Sequence, residues 1–169
     1  MLWSVIRPIS CFLFAAALLA PVQARADCAD APAPTVDWSR CILDGRDLKG
    51  ADLTGMNLRD AQFLRADLGK ARLAKTDATR AKFVSAKLPG ADLSGARLQD
   101  ADFSNADASN VSFKGADLRS AKFIEANLKG ADFTGAQVRA TDFFRADLSG
   151  ARWINGTKIC AAGSIGSCQ

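Results

Sequence analysis

The sequence predicts an all-β solenoid, a quadrilateral parallel β-helix of about six coils, and two repeating patterns carry this prediction. A small residue, usually alanine, recurs at every fifth position between Val36 and Asn155, and a leucine, phenylalanine or tryptophan generally follows two places later. These 120 residues form 24 consecutive five-residue units without a slip in register. Phenylalanines also recur at intervals of 20 residues, which is four units. A repeat of fixed period is the sequence signature of a solenoid.

The period of five excludes an ordinary helix and an ordinary strand. Five steps of an α-helix rotate a side chain by roughly 140°, which would spread the apolar positions around the helix. In a strand, an odd step would move each new leucine to the opposite face. We number the positions of each unit 1 to 5, starting from Val36. Positions 1 and 3 are then expected to point into a dry interior, and positions 2, 4 and 5 to point outward or turn a corner.

The phenylalanines indicate how many units make one coil. With four units per coil, position 3 of every fourth unit stacks into one core column, formed by Phe63, Phe83, Phe103, Phe123 and Phe143. Six coils at the spacing of hydrogen-bonded strands would make a rod roughly 29 Å long.

Several units match a known consensus at every defined place. Ala51-Asp52-Leu53-Thr54-Gly55 and Ala91-Asp92-Leu93-Ser94-Gly95 both read as A(D/N)LXX. The chain therefore resembles the pentapeptide-repeat family over 120 of its 169 residues. The resemblance implies a right-handed helix. It also raises one known role, because some members resemble a DNA duplex in shape and acidic surface and inhibit type II topoisomerases.

The first 26 residues read as a signal peptide. An apolar stretch from Ile9 to Leu19 is followed by Ala24-Arg25-Ala26, a small-residue cleavage motif before Asp27. The stretch is short for a permanent membrane anchor, which needs about 20 residues, so a retained anchor is the less favoured alternative. We expect a periplasmic or secreted protein with no transmembrane segment in the mature chain. Its parts would be an N-terminal cap at 27–35, the β-helix at 36–155 and a C-terminal disulfide cap loop at 156–169.

Export changes the interpretation of the cysteines. Removal of Cys11 leaves Cys28, Cys41, Cys160 and Cys168, an even number in an oxidising compartment. Three pairings are possible, but Cys41 lies in the first coil and Cys160 just beyond the last, whereas bonded cysteines have Cα atoms within about 7 Å. Local bonds, Cys28 to Cys41 and Cys160 to Cys168, are therefore favoured as caps on the two ends. A four-thiolate zinc site has the same geometric problem and lacks Cys-x-x-Cys spacing.

Residue usage argues against catalysis. Histidine and tyrosine are absent and Glu125 is the single glutamate, although general acid-base chemistry at neutral pH usually draws on these types. Most aspartates occupy position 2, where a solvated, turn-favouring side chain is a sufficient explanation. We predict no enzyme activity, no cofactor and no metal.

A cluster of cations suggests one alternative function. The net charge is +4, which, with the predicted export, argues against DNA mimicry and nucleic acid binding. Seven basic residues oppose only Asp67 and Asp77 in the second and third coils: Arg65, Lys70, Arg72, Lys75, Arg80, Lys82 and Lys87. This basic collar could hold an anionic envelope polymer through diffuse electrostatics. A solvated charged band without a ligand explains the same pattern.

A stripe of apolar residues suggests the favoured function. Position 4 should face solvent, yet on the phenylalanine column it holds Leu64, Val84, Ile124 and Phe144, interrupted by Ser104. Aligned apolar side chains on a surface often mark a contact. A protein partner, self-association and mere stacking along the surface are the three explanations. The sequence therefore predicts a non-enzymatic scaffold or protein-interaction module.

Overall fold

The computed structural model describes residues 28–33 and 36–169. Within these residues there is no helix and no strand longer than one residue; each unit contributes one bridging residue at position 2 and a turn at positions 4 and 5. Parallel bridges join residues 20 places apart, from Asp37 with Asn57 to Asp132 with Arg152. Four units therefore make one coil. The predicted quadrilateral solenoid is confirmed, with coils at 36–55, 56–75, 76–95, 96–115, 116–135 and 136–155.

Most backbone hydrogen bonds run between neighbouring coils. The Phe103 amide donates to the Lys122 carbonyl at 2.7 Å, and the Asn105 amide donates to the Ile124 carbonyl at 2.8 Å. The position 1 amide closes the corner instead, as when Ala106 donates to the Phe103 carbonyl at 3.0 Å. Each coil thus satisfies the polar backbone of the coil beneath it, as a buried backbone requires.

The corners require a left-handed backbone at position 5. From Arg40 to Gly150, every position 5 residue has a φ between 55° and 72°. Together with the bond from the position 1 amide to the position 3 carbonyl, this is the geometry of a type II turn. Fourteen of these residues are not glycine, although a left-handed backbone costs them roughly 1–2 kcal/mol each. The inter-coil bonds of the same residues offset that cost.

The aspartates of position 2 have a defined structural task. Each of the 14 aspartates and asparagines at this position accepts a hydrogen bond from the position 4 amide of its own unit, such as Asp92 from Ser94 at 2.9 Å. This amide has no partner in the next coil, so the side chain satisfies it. The sequence predicted solvated, turn-favouring side chains at this position but did not identify this hydrogen bond.

Two aromatic columns run along the rod and face each other in the core. The first is the expected one, with ring centroids 5.0 Å apart for Phe63 and Phe83 and 4.7 Å apart for Phe83 and Phe103. A second column on the opposite wall, Phe113 stacked on Phe133 at 5.2 Å, meets the first edge-on. Phe143, at the C-terminal end of the first column, is only partly buried.

Disulfides secure both ends of the rod. The structure joins Cys28 to Cys41 and Cys160 to Cys168, with Cα atoms 5.5 Å and 4.8 Å apart. Near the first bond, the Arg46 guanidinium donates to the Cys28 carbonyl at 2.8 Å. Beyond residue 155 the chain reverses and bridges the last coil in antiparallel fashion, through Arg152 with Ile159 and Asp147 with Ile165.

The predicted signal peptide at 1–26, with Cys11, lies outside the described residues, and so do Asp27, Pro34 and Thr35 of the predicted N-terminal cap. In the part of the chain that the structure describes, no helix has the length and apolar character needed to cross a membrane.

Candidate interaction surfaces

The apolar stripe lies along one wall of the rod. We call the units that begin at residues 41, 61, 81, 101, 121 and 141 the phenylalanine wall, since their position 3 residues include the phenylalanine column. On this wall Leu64, Val84 and Ile124 are half-buried and Phe144 is 61% exposed. The structure therefore aligns the four residues, but three of them are less exposed than an outward position suggests. Ile42, which the repeat pattern did not indicate as a surface residue of interest, is 68% exposed at position 2 of the same wall.

The charged residues of the phenylalanine wall alternate in sign. At position 2 of four successive coils stand Lys82, Asp102, Lys122 and Asp142, and each is bridged through its backbone to the next. None of these four takes part in the ion pairs found among the described residues. Their charges are therefore available to a partner.

Carboxylates on the other walls are largely neutralised within the chain. Asp67 pairs with Lys49 at 3.1 Å, and Asp132 pairs with Lys114 at 3.3 Å. Hydrogen bonds from the Arg119 side chain lower the pKa of Asp117, with an N to O distance of 2.7 Å. These pairs tie adjacent coils together or lie within one unit.

The structure does not bring the basic collar to one surface. Arg65, Lys70, Lys75 and Arg80 occupy position 5 at four consecutive corners, so they point in four different directions. Two members of the collar are also paired, Arg80 with Asp60 at 2.7 Å and Arg72 with Asp52 at 3.6 Å. Lys82 and Lys87 lie on adjacent walls. A rigid polyanion could touch only part of the collar at once.

One shallow groove brings two collar residues together. It occupies about 540 Å³ on the wall that follows the phenylalanine wall and is lined by Lys49, Gly50, Asp67, Gly69, Lys70, Lys87, Pro89 and Asp107. The groove is open because position 4 holds Gly69, which has no side chain to fill it. The groove was not predicted from the sequence, although a glycine at an outward position was the available signal.

No metal or thiol chemistry is evident at either surface. Within residues 28–33 and 36–169, no group of three or more histidine, cysteine, aspartate or glutamate residues is placed to hold a metal ion. The four described cysteines are all in disulfides.

Comparison with known families decides the classification. A family profile described as "Pentapeptide repeat region" matches residues 76–156, and one described as "Pentapeptide repeats (8 copies)" matches residues 39–74 and 47–83. The chain belongs to the pentapeptide-repeat family. Its solenoid is accordingly the right-handed β-helix of pentapeptide-repeat proteins. Members of this family generally serve as structural or interaction modules.

Solved structures of other pentapeptide-repeat proteins are similar to this one. HetL from the cyanobacterium Nostoc sp. strain PCC 7120, involved in regulating heterocyst differentiation, is 34% identical with a TM-score of 0.36; the match covers 69% of this chain and 59% of HetL. A protein from the Arabidopsis thaliana thylakoid lumen is 32% identical over 66% of this chain and 71% of its own, with a TM-score of 0.35. Trypsin-treated QnrB1, a plasmid-mediated fluoroquinolone resistance protein, is 21% identical over 76% and 80%, with a TM-score of 0.37. No curated protein matches the chain.

Proposed function

We propose that this pentapeptide-repeat protein is an exported, non-enzymatic interaction module that binds a protein through its phenylalanine wall. The main support for this proposal is the line of apolar side chains at position 4 of that wall. Beside it, at position 2, runs a column of charged side chains that take part in no ion pair among the described residues. On the next wall the same position holds Lys49, Gly69, Pro89, Ser109, Lys129 and Ser149, so the repeat does not require an apolar residue there.

A matched pair of variants tests the assignment of the surface. The triple variant Leu64→Ser, Val84→Ser, Ile124→Ser removes the stripe, whereas Ala74→Ser, Thr134→Ser, Ile154→Ser changes position 4 on the opposite wall. Each protein, purified without the signal peptide, is immobilised and exposed to periplasmic extract. We expect a specifically captured protein to be lost from the stripe variant and retained by the control, with both variants folded by circular dichroism. Capture by both variants would place the contact elsewhere.

Export is supported by the sequence of residues 1–26 and by cysteine usage, because structural disulfides persist in oxidising compartments. Intact mass spectrometry after expression of the full chain tests this part separately. We expect a mature N-terminus at Asp27 and no thiol that reacts with iodoacetamide before reduction. A full-length product or four reactive thiols would contradict export.

A second candidate function is binding of an anionic envelope polymer, and the groove favours it because Lys70 and Lys87 line the same opening. Lys70→Glu with Lys87→Glu should then abolish retention on a heparin column, whereas Lys75→Glu with Lys82→Glu should weaken it only slightly. Equal loss in both variants would indicate nonspecific attraction to net positive charge. DNA mimicry has less support, because the net charge is +4 whereas a DNA mimic has an acidic surface. Inhibition of a type II topoisomerase in a supercoiling assay would be evidence for it.

A further inference from the structure

The charges along the phenylalanine wall alternate in sign, so this wall can face a second copy of itself with opposite charges in contact. We propose that the partner of this wall is the same wall of a second copy, with the two rods antiparallel and related by a two-fold axis that passes between Asp102 and Lys122. This inference rests on the proposed function, since it names the partner of the same surface.

The charge order selects the position of the axis. An axis in the plane of the wall and perpendicular to the rod lays position 2 over position 2 and reverses the order of the coils. Placed between Asp102 and Lys122, it sets these two residues opposite each other and sets Lys82 opposite Asp142. Because each contact occurs twice, four pairs of opposite charge form. An axis through the level of Asp102 or Lys122 would oppose like charges, which costs several kcal/mol and rejects that register.

The same axis also covers exposed apolar surface. It lays position 4 over position 4, so Val84 faces Phe144 of the second copy and Ser104 faces Ile124. Phe144, the most exposed residue of the stripe, thereby gains an apolar neighbour. The small Ser104 side chain leaves room for the larger isoleucine.

The other walls lack this combination. On the groove wall, position 2 is mainly acidic, with Asp47, Asp67, Asp107 and Asp147, so an antiparallel copy would mostly place acid against acid or amide. On the opposite wall, Asp132 is already paired with Lys114 and Arg152. Among these three walls, only the phenylalanine wall combines a self-complementary order with charges that no ion pair of the described residues uses.

The contact should be weak. Four overlapping coils extend only about 19 Å along the rod at the strand spacing. An interface of this length falls below the roughly 1,200 Å² of total buried area that stable complexes bury. We therefore expect a dimer with a dissociation constant in the micromolar range or above, which loosens as salt screens the charges.

Two charge-swap variants of identical composition test the register. Lys82→Asp with Asp142→Lys exchanges residues that face each other across the axis, so the opposite-charge pairs are preserved. Lys82→Asp with Asp102→Lys exchanges neighbours along one rod, which places an aspartate opposite Asp142 of the second copy and a lysine opposite its Lys122. Both variants move one position 2 aspartate to another coil and keep the net charge of the parent.

Sedimentation velocity between about 5 µM and about 500 µM protein provides the measurement. We expect the parent to dimerise, the first variant to stay within about threefold of it and the second to be weakened more than about tenfold. Equal weakening of both variants would overturn the register. A parent that stays monomeric throughout would overturn self-association; if the stripe variant still loses a captured protein, the proposed function would stand with a different partner.

Discussion

Replacing Phe103 with alanine should destabilise the protein strongly, because this residue lies in the middle of the aromatic column. Phe103 is 0% exposed and stacks between Phe83, at 4.7 Å, and Phe123, at 4.9 Å; it also meets Phe113 edge-on at 5.8 Å. Deleting a buried phenylalanine side chain costs about 3–5 kcal/mol. Aromatic pairs contribute about 0.5–1.5 kcal/mol each beyond the buried area, so the loss of three pairs places the expected cost at the upper end, about 5 kcal/mol.

Urea unfolding followed by far-UV circular dichroism, with the disulfides intact, measures this cost. Two controls bracket it. Ser104→Ala, at the neighbouring outward position, removes one hydrogen bond from the Ser104 hydroxyl to Asp102 and should cost about 1 kcal/mol or less. Phe143→Ala, at the partly buried end of the column, should cost about half as much as the central substitution, because fewer neighbours surround it. Similar effects for Phe103→Ala and Ser104→Ala would refute the assignment of position 3 to the core.

Three further predictions concern the ends, the corners and the charges. Replacing Cys160 and Cys168 with serine should lower the free energy of unfolding by about 2–3 kcal/mol, because a disulfide that closes a loop of eight residues restricts the unfolded chain by about this much. Urea unfolding of the oxidised parent and the variant measures the difference. Ala140→Gly should raise the free energy of unfolding by about 1 kcal/mol, because Ala140 stands at position 5 with a φ of +60°. Ala74→Gly, at position 4, should lower the free energy of unfolding, because no left-handed backbone is needed there. Thermal melting of the two variants distinguishes these effects. The pKa of Asp117 is lowered by its hydrogen bonds from arginine, so its carboxylate stabilises the fold above about pH 3.8 and this contribution is lost as the pH falls through the folded pKa. Asp117→Asn should therefore cost about 1 kcal/mol at pH 7, and this cost should diminish as the pH falls below about 3.8; a cost that does not change with pH would contradict that role.

The sequence by itself determined the solenoid, the number of residues per coil and the core. A five-residue period with two apolar positions is incompatible with the periodicities of a helix or a strand, and the 20-residue spacing of phenylalanines requires four units per coil. It also favoured the two disulfides that the structure contains, because the length of the rod separates Cys41 from Cys160. The family assignment followed from the same repeat.

Only the tertiary structure decided how outward residues are grouped. Lys70 and Lys87 are 17 residues apart in the sequence, yet they share a groove that depends on the missing side chain of Gly69. The role of the position 2 aspartates also needed the structure, since it depends on which amides the next coil leaves unpaired. Inward positions are set by the local period of the chain. Outward contacts are set by stacking of residues about 20 apart, and they depend on side-chain length and charge in adjacent coils rather than on the repeat itself.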